Sequence, residues 1–507
     1  MNSSATTTKN PESPQGNESF LFRYIWPVKR GENSKFLLMT LLMFCILFIQ
    51  NIMRAQKDSI INTMIGTETI AFLKFAGVMP GAILMAIVYV KLISRLRGES
   101  VFYIIIGAFL AYYALFGFLI FPNHEKVHLS QDLAASLIEN YPNFKWFILI
   151  FSKWSFSLFY IVAELWPNAA FSLLFWQFTN SVTSVEESKR FYPIFAVLGQ
   201  TGLVFAGMFL ENIKLFSQFA MDHFGYDSSL NIASVQVTIT LALILGMIAI
   251  FVFWRLNHSI FKGKTIKLSA KKQKMSVTES FAFVMSSCYI RYIAILLLCY
   301  GMAINLVEGP WKATASQVYV DTAAYSSFVG GYLKYTGALT ILFAILCSNL
   351  VRYVGWVIAA ITTPIMVFVT GMAFFGISNF EMIIEMLGYG LLNPVTLAVG
   401  VGAVQNVLSK SSKYTLFDST KEMAYVPLDE ELKTKGKAAV DVIGIKLGKS
   451  LGAFVQMMMF ILVPTATYSS ISSILMVIFC VICVIWLWAV LKLNKEYNLA
   501  VVKNSHK

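Results

Sequence analysis

Long apolar stretches recur along this 507-residue chain, separated by short polar or basic ones. After a polar opening they cover 36–62, 66–90, 100–121, 146–178, 191–213 and 233–256. They resume at 286–311, 322–349, 353–376, 380–409, 437–463 and 468–491. A helix needs about 20 mostly apolar residues to cross a bilayer, and each stretch meets that length. The pattern predicts an all-α polytopic membrane protein of twelve transmembrane helices in two six-helix halves. Its expected parts are a tail over 1–34, a first half over 35–256, a basic loop over 257–280, a second half over 281–492 and a tail over 493–507. The fourth stretch reads either as one tilted helix or as a span plus an interfacial helix, with a kink at Pro167.

The placement of basic residues tests this count. With the N-terminus cytoplasmic, segments 1–35, 91–99, 179–190, 255–275, 350–353, 410–437 and 490–507 face inward and hold 28 Lys and Arg. The outward segments hold five, namely Arg54, Lys57, Lys126, Lys214 and Lys312, and three of those fall where a helix could continue. Such an asymmetry is the positive-inside pattern, with both termini in the cytoplasm. The loop from Arg255 to Lys274 has seven basic residues and no acid, and it reads as an orientation signal. Phe72-Leu-Lys74-Phe-Ala-Gly77 and Tyr332-Leu-Lys334-Tyr-Thr-Gly337 give a faint internal echo. Two related halves suggest a major-facilitator-like carrier with a midplane site.

Composition narrows the function. The chain is 57% hydrophobic and 13% charged, against about 25% charged in soluble domains. That excludes a soluble enzyme. The net charge of +13 follows from the positive-inside bias and needs no nucleic-acid partner. All six cysteines lie in apolar runs, so Cys480 and Cys483 read as packing and not as a redox pair. The five histidines form no ligand cluster, and neither a metal nor a cofactor is expected. Residues 1–34 carry Glu12, Glu18 and Glu32 and no small-residue cleavage site, unlike a signal peptide.

Charges inside the apolar stretches carry the chemistry. An intramembrane charge costs at least about 2.5–3.5 kcal/mol, so each is a functional candidate. Lys74, Lys153, Lys334, Lys446 and Lys449 lie deep, and Arg54 and Lys57 sit on the continuation of the first helix. The clear acids are Asp58, Glu164, Glu308 and Asp441. Arg54 with Asp58, and Glu308 with Lys312, have the i,i+4 spacing of self-neutralising pairs. The remaining excess is cationic and suits a multiply charged anion such as a phosphate ester, a nucleotide or a dicarboxylate. Asn168 and Asn305 lie near Glu164 and Glu308 and could read a substrate or bond another helix. Gly444, Gly448 and Gly452 form a small-residue stripe flanked by Lys446 and Lys449. The segment is one residue short of a phosphate-binding loop and follows no strand. Without a nucleotide-hydrolysing domain, transport would run on a gradient or on exchange. A proton-coupled symporter of another organic anion stays open, with Glu164 and Glu308 as proton sites. A membrane enzyme would need a clustered acid–base or metal constellation, and none is visible.

Several motifs then become recognisable nearly end to end. They include Ile25-Trp-Pro-Val-Lys29, Arg54-Ala-Gln-Lys57-Asp58, Glu68-Thr-Ile-Ala-Phe-Leu-Lys74, Tyr141-Pro-Asn-Phe-Lys-Trp146 and Ala163-Glu164-Leu-Trp166. The second half adds Ile304-Asn-Leu-Val-Glu308, Trp311-Lys312, Lys413-Tyr-Thr-Leu-Phe-Asp418 and Leu447-Gly-Lys449-Ser450. By these the chain resembles the non-mitochondrial ATP/ADP translocases, the nucleotide transporters of obligate intracellular bacteria and plastids, and most looks like the rickettsial branch. The resemblance implies alternating access, and exchange of host nucleotide (ATP as the family default) for bacterial nucleotide (ADP) across the inner membrane. CTP, UTP or GTP/GDP are the alternative cargo, and the working unit is expected to be a monomer in the lipid bilayer. It also implies that Lys74, Glu164, Glu308 and Lys449 are the functional positions. Lys57, Arg54, Lys446, Asn305, Asn168 and Lys334 stand beside them as further candidates for substrate binding. Pro167 and Leu451-Gly452 depart from the family wording beside the expected path.

Overall fold

The computed structural model describes residues 28–224, 229–260, 277–379, 393–429 and 432–505. Most of the N-terminal tail, the core of the basic loop and the stretch 380–392 therefore lie outside the described residues. So do the side chains of Asp441 and Lys446. The principal helices are α1 (Asn33–Met64), α2 (Thr69–Arg95), α3 (Gly98–Ile120), α4 (Trp154–Val182), α5 (Val185–Glu211) and α6 (Leu230–His258). They continue as α7 (Cys288–Val318), α8 (Thr322–Val354), α9 (Trp356–Asn379), α10 (Pro394–Ser412), α11 (Lys437–Leu462) and α12 (Tyr468–Ser505). Ten helices among the described residues are long and apolar enough to cross a membrane; α10 and α11 fall short of that measure. Part of the tenth apolar stretch lies outside the described residues. In α11 the apolar helical part among the described residues is Leu447–Leu462.

Hydropathy underestimates several helices. α1 has 32 residues, about 48 Å of helix at 1.5 Å per residue. Arg54, Lys57 and Asp58 therefore lie well inside it. α7 likewise runs through Lys312. Three of the five basic residues assigned to outer loops are thus helical and inside the protein. Lys410, assigned to an inner loop, lies in the last turn of α10. The fourth stretch divides: Lys145–Ser152 is a short separate helix, and the break falls at Lys153, with φ −110° and ψ 46°. The Lys153 ammonium donates to the carbonyl of Met64 and so closes the end of α1. Pro167 does not break α4. Its missing N–H is absorbed by a π-helical stretch over Pro167–Phe175.

Buried tryptophans and close-packed glycines lock the helices. Trp166 of α4 donates its indole N–H to Ile46 O of α1 at 3.0 Å, and Trp311 of α7 donates to Val399 O of α10 at 3.0 Å. A Cβ on Gly402 would lie 2.0 Å from the Trp311 ring, so only glycine admits that indole. The glycine stripe of α11 packs on α7: a Cβ at Gly448 would meet Leu298 O at 2.5 Å. At Gly444 the backbone turns out of helical geometry, with ψ −131°. α5 and α8 join the two halves most intimately. A Cβ on Gly207 would sit 2.4 Å from Lys334 N, and one on Gly330 would sit 2.3 Å from Glu211 N.

One group of hydrogen bonds between the halves lies toward one end of the molecule. Thr63 meets Thr322 at 2.9 Å, Ser326 donates to Ser59 at 2.8 Å, and Asn143 donates to Ile461 O at 2.9 Å. The Tyr468 N–H donates to the Glu68 carboxylate at 3.3 Å. Glu68 lies in the α1–α2 connection, and burial raises its pKa above the ordinary carboxylate value. On the other side of this seal lies a central cavity.

Candidate functional site

The cavity has a volume of about 440 Å³, within the usual range of small-molecule sites. It follows α1 from Met43 to Asp58 and is bounded by α4, α5, α7, α8 and α10. Arg54, Asp58, Glu308 and Lys410 supply its charged lining. Phe171, Trp176, Tyr192 and Phe195 supply an aromatic wall, with Trp176 edge-on to Tyr192 at a ring separation of 5.1 Å.

Beside the cavity runs a row of alternating charges. Glu164 of α4 pairs with Lys57 of α1 at 3.1 Å, and Lys57 pairs with Asp58 at 2.8 Å. Asp58 reaches across to Lys312 of α7 at 2.8 Å. Lys312 pairs with Glu308 at 3.4 Å, and Glu308 with Lys74 of α2 at 3.6 Å. Lys57, Asp58 and Lys312 are 2, 4 and 4% exposed, so none can rely on water for solvation, and pairing is obligatory. Lys57 also lies 3.9 Å from the centre of the Tyr160 ring. Lys74 donates to Asn305 Oδ1 at 2.7 Å, and Asn305 Nδ2 donates to Lys449 O of α11 at 3.1 Å. Asn305 therefore does bond another helix. It does so on the side chain of a candidate lysine.

Most of the sequence candidates meet here. Lys57, Lys74, Glu164 and Glu308 are members of the row, and Arg54 lines the cavity. Lys449 is exposed on α11, within electrostatic reach of Glu164 and Glu308. Asn168 lies one turn beyond Glu164, half-buried in the π-helical stretch of α4. Lys74 sits in a π-helical stretch too, over Leu73–Val78 of α2. Such wide turns recur at functional sites. The Lys446 side chain lies outside the described residues.

Two expectations change. Arg54 does not neutralise Asp58, because Lys57 and Lys312 hold that carboxylate; the i,i+4 pair that does form is Glu308 with Lys312. Lys334 stands apart from the row. Its ammonium pairs with Glu211 of α5 at 2.6 Å, on a partly exposed flank of the α5–α8 seam. Replacing Lys334 with Ala should alter transport less than about twofold and cost at most about 1 kcal/mol, the range of exposed pairs. Uptake assays and thermal unfolding would check it. Sequence reasoning missed Asp58 and Lys312 as a bridge between halves and Lys410 as a cavity residue. For Lys312 and Lys410 the signal lay in the length of helix beyond the apolar stretch.

A model of the TLC ATP/ADP transporter family matches residues 13–497. The chain belongs to the TLC ATP/ADP transporter family. It is 58% identical to ADP,ATP carrier protein 4 of Rickettsia bellii over 483 residues, covering 94% of this chain and 93% of that one. It is 56% identical to ADP,ATP carrier protein 4 of Rickettsia felis over 507 residues, covering 99% of each. The fold is similar to the crystal structure of a bacterial homologue of the iron transporter ferroportin in its inward-facing state. That likeness has a TM-score of 0.58 at 13% identity and covers 89% of this chain and 98% of that one. It supports a major-facilitator-like helical fold for this TLC transporter and says nothing of its cargo.

Proposed function

We propose that this TLC transporter is a nucleotide antiporter of the inner membrane, taking up host ATP in exchange for ADP by alternating access. The observation that carries the reading is the charge balance at the cavity. Among the described residues, Lys57, Lys74 and Lys312 are paired with Asp58, Glu164 and Glu308, while Arg54, Lys410 and Lys449 add cations that no carboxylate pairs. A polyphosphate supplies the missing negative charge. The aromatic wall offers a face for a base, since rings stack on rings whatever the base edge. The relatives named ADP,ATP carrier protein point to the same cargo. Twelve spans with both termini cytoplasmic would place the seal outside and the cavity toward the cytoplasm. A single chain encloses the whole row, which fits a monomeric working unit.

Intact bacterial cells producing the chain test this. Labelled ATP, ADP, CTP, UTP, GTP and GDP are offered in turn, then chased with unlabelled nucleotides. Saturable ATP uptake chased out by ADP is the expected result. Uptake of CTP, UTP or a guanine nucleotide alone would keep nucleotide exchange and replace its cargo. Uptake of no nucleotide by correctly inserted protein, or uptake driven by a proton gradient without internal nucleotide, would overturn the proposal.

A further inference from the structure

The cations of the ion-pair row and the cations of the cavity lining are two different sets, although Asp58 and Glu308 belong to both row and lining. Lys57, Lys74 and Lys312 each have a carboxylate within 3.6 Å. A phosphate could bind them only by displacing that carboxylate. Arg54 and Lys410 differ. Both line the cavity, and neither forms an ion pair with a described residue. Arg54 comes from α1 in the first half and Lys410 from α10 in the second. Glu164 is within electrostatic reach of Arg54, and Glu308 of Lys410, but neither carboxylate is in contact. The Lys410 ammonium instead lies 5.3 Å from the centre of the Tyr332 ring of α8, so the ring steadies the cation without neutralising it.

We propose that Arg54 and Lys410 form a two-sided seat for the phosphate chain, one cation from each half, and that anion capture begins there and not at the ion-pair row. The inference rests on the nucleotide reading and deepens it. A guanidinium holds two phosphate oxygens in a fixed fork, while an ammonium acts as a mobile point charge. Two cations held in a half-buried cavity without a carboxylate in contact repel each other and gain from an anion seated between them. An anion seated there ties α1 to α10. It joins the halves on the side where the hydrogen-bonded seal does not, so an occupied carrier can close over its load. Trp176 and Tyr192 line the same cavity and offer ring faces to the base of an anion so held.

The test uses the full chain, purified in detergent, with calorimetric titration of ATP and of inorganic pyrophosphate. Variants R54Q, K410Q, R54K and K410R are compared after thermal unfolding has shown that they are folded. R54Q and K410Q should each weaken ATP and pyrophosphate binding about tenfold, the worth of one charge-assisted contact. K410R should stay within about threefold of the natural chain, because it keeps the charge. The order of preference among ATP, CTP and GTP should not move in either neutral variant. Unchanged affinity in folded K410Q would overturn the seat even if nucleotide exchange is intact. Pyrophosphate binding by the natural chain that is lost in K410Q, with no nucleotide bound, would uphold the seat and remove the nucleotide reading. If R54Q does not fold, K410Q and R54K carry the same decision, because Lys410 holds no ion pair whose loss would unsettle the fold.

Discussion

Replacing Asp58 with Asn should abolish exchange and lower stability by about 3–5 kcal/mol, the cost of stranding buried charges. Asp58 is shared by Lys57 and Lys312, both at 2.8 Å. An amide there leaves two nearly inaccessible ammonium groups facing each other. Lys57 keeps Glu164 and Lys312 keeps Glu308, but each surviving pair is longer, at 3.1 and 3.4 Å. The double variant Asp58→Asn, Lys312→Met separates the two roles of the bridge. It removes the stranded cation, and a buried ion pair can be replaced by apolar groups at little net cost. Stability should then return by more than half, and the double-mutant coupling should reach about 1–3 kcal/mol. Exchange should stay absent, because Lys312 also holds Glu308. Thermal unfolding of the purified chain and nucleotide exchange in proteoliposomes check both parts. An Asp58→Asn variant as stable as the natural chain would show that the bridge does not hold the halves.

The location of this bridge explains what the sequence revealed and what it withheld. Charges surrounded by apolar residues announce themselves by their cost, and so Lys74, Glu164 and Glu308 were legible from hydropathy alone. Lys312 and Lys410 were not. Hydropathy ends a span where charges begin, whereas α7 and α10 continue as helices through Lys312 and Lys410. Hydropathy alone therefore counts residues just past an apolar stretch as loop, although the i,i+4 spacing of Glu308 and Lys312 already allows the helix to continue. The choice of partners was also hidden. Arg54 and Asp58 have the spacing of an intrahelical pair, but spacing cannot report that Lys312 of a distant helix reaches Asp58 first. Lys334 shows the converse. Its burial cost suggested function until the fold set Glu211, at the end of the fifth apolar stretch, within 2.6 Å.

The remaining large effect concerns coupling and not stability. Glu308 holds Lys74 of the first half and Lys312 of its own helix at once. That carboxylate ties α2 to α7, and under the proposed exchange it would take the place of the absent substrate in an empty carrier. Reorientation without cargo must break this tie, whereas a bound polyphosphate can compensate both lysines as the tie opens. On the proposed mechanism the carboxylate would thereby make return of the empty carrier slow and exchange obligatory. Glu308→Gln should reduce ATP–ADP exchange about a hundredfold, roughly 3 kcal/mol at the barrier. It should at the same time create a leak: preloaded proteoliposomes should release labelled nucleotide into buffer containing none. Glu308→Asp, which keeps the charge on a shorter arm, should recover part of the exchange and suppress the leak. Lys312 constrains the interpretation, since it would remain paired with Asp58 at 2.8 Å and hold the fold together in the variant. An unchanged exchange rate with no leak would remove Glu308 from the coupling. A fall in exchange without a leak would leave it as a binding group alone.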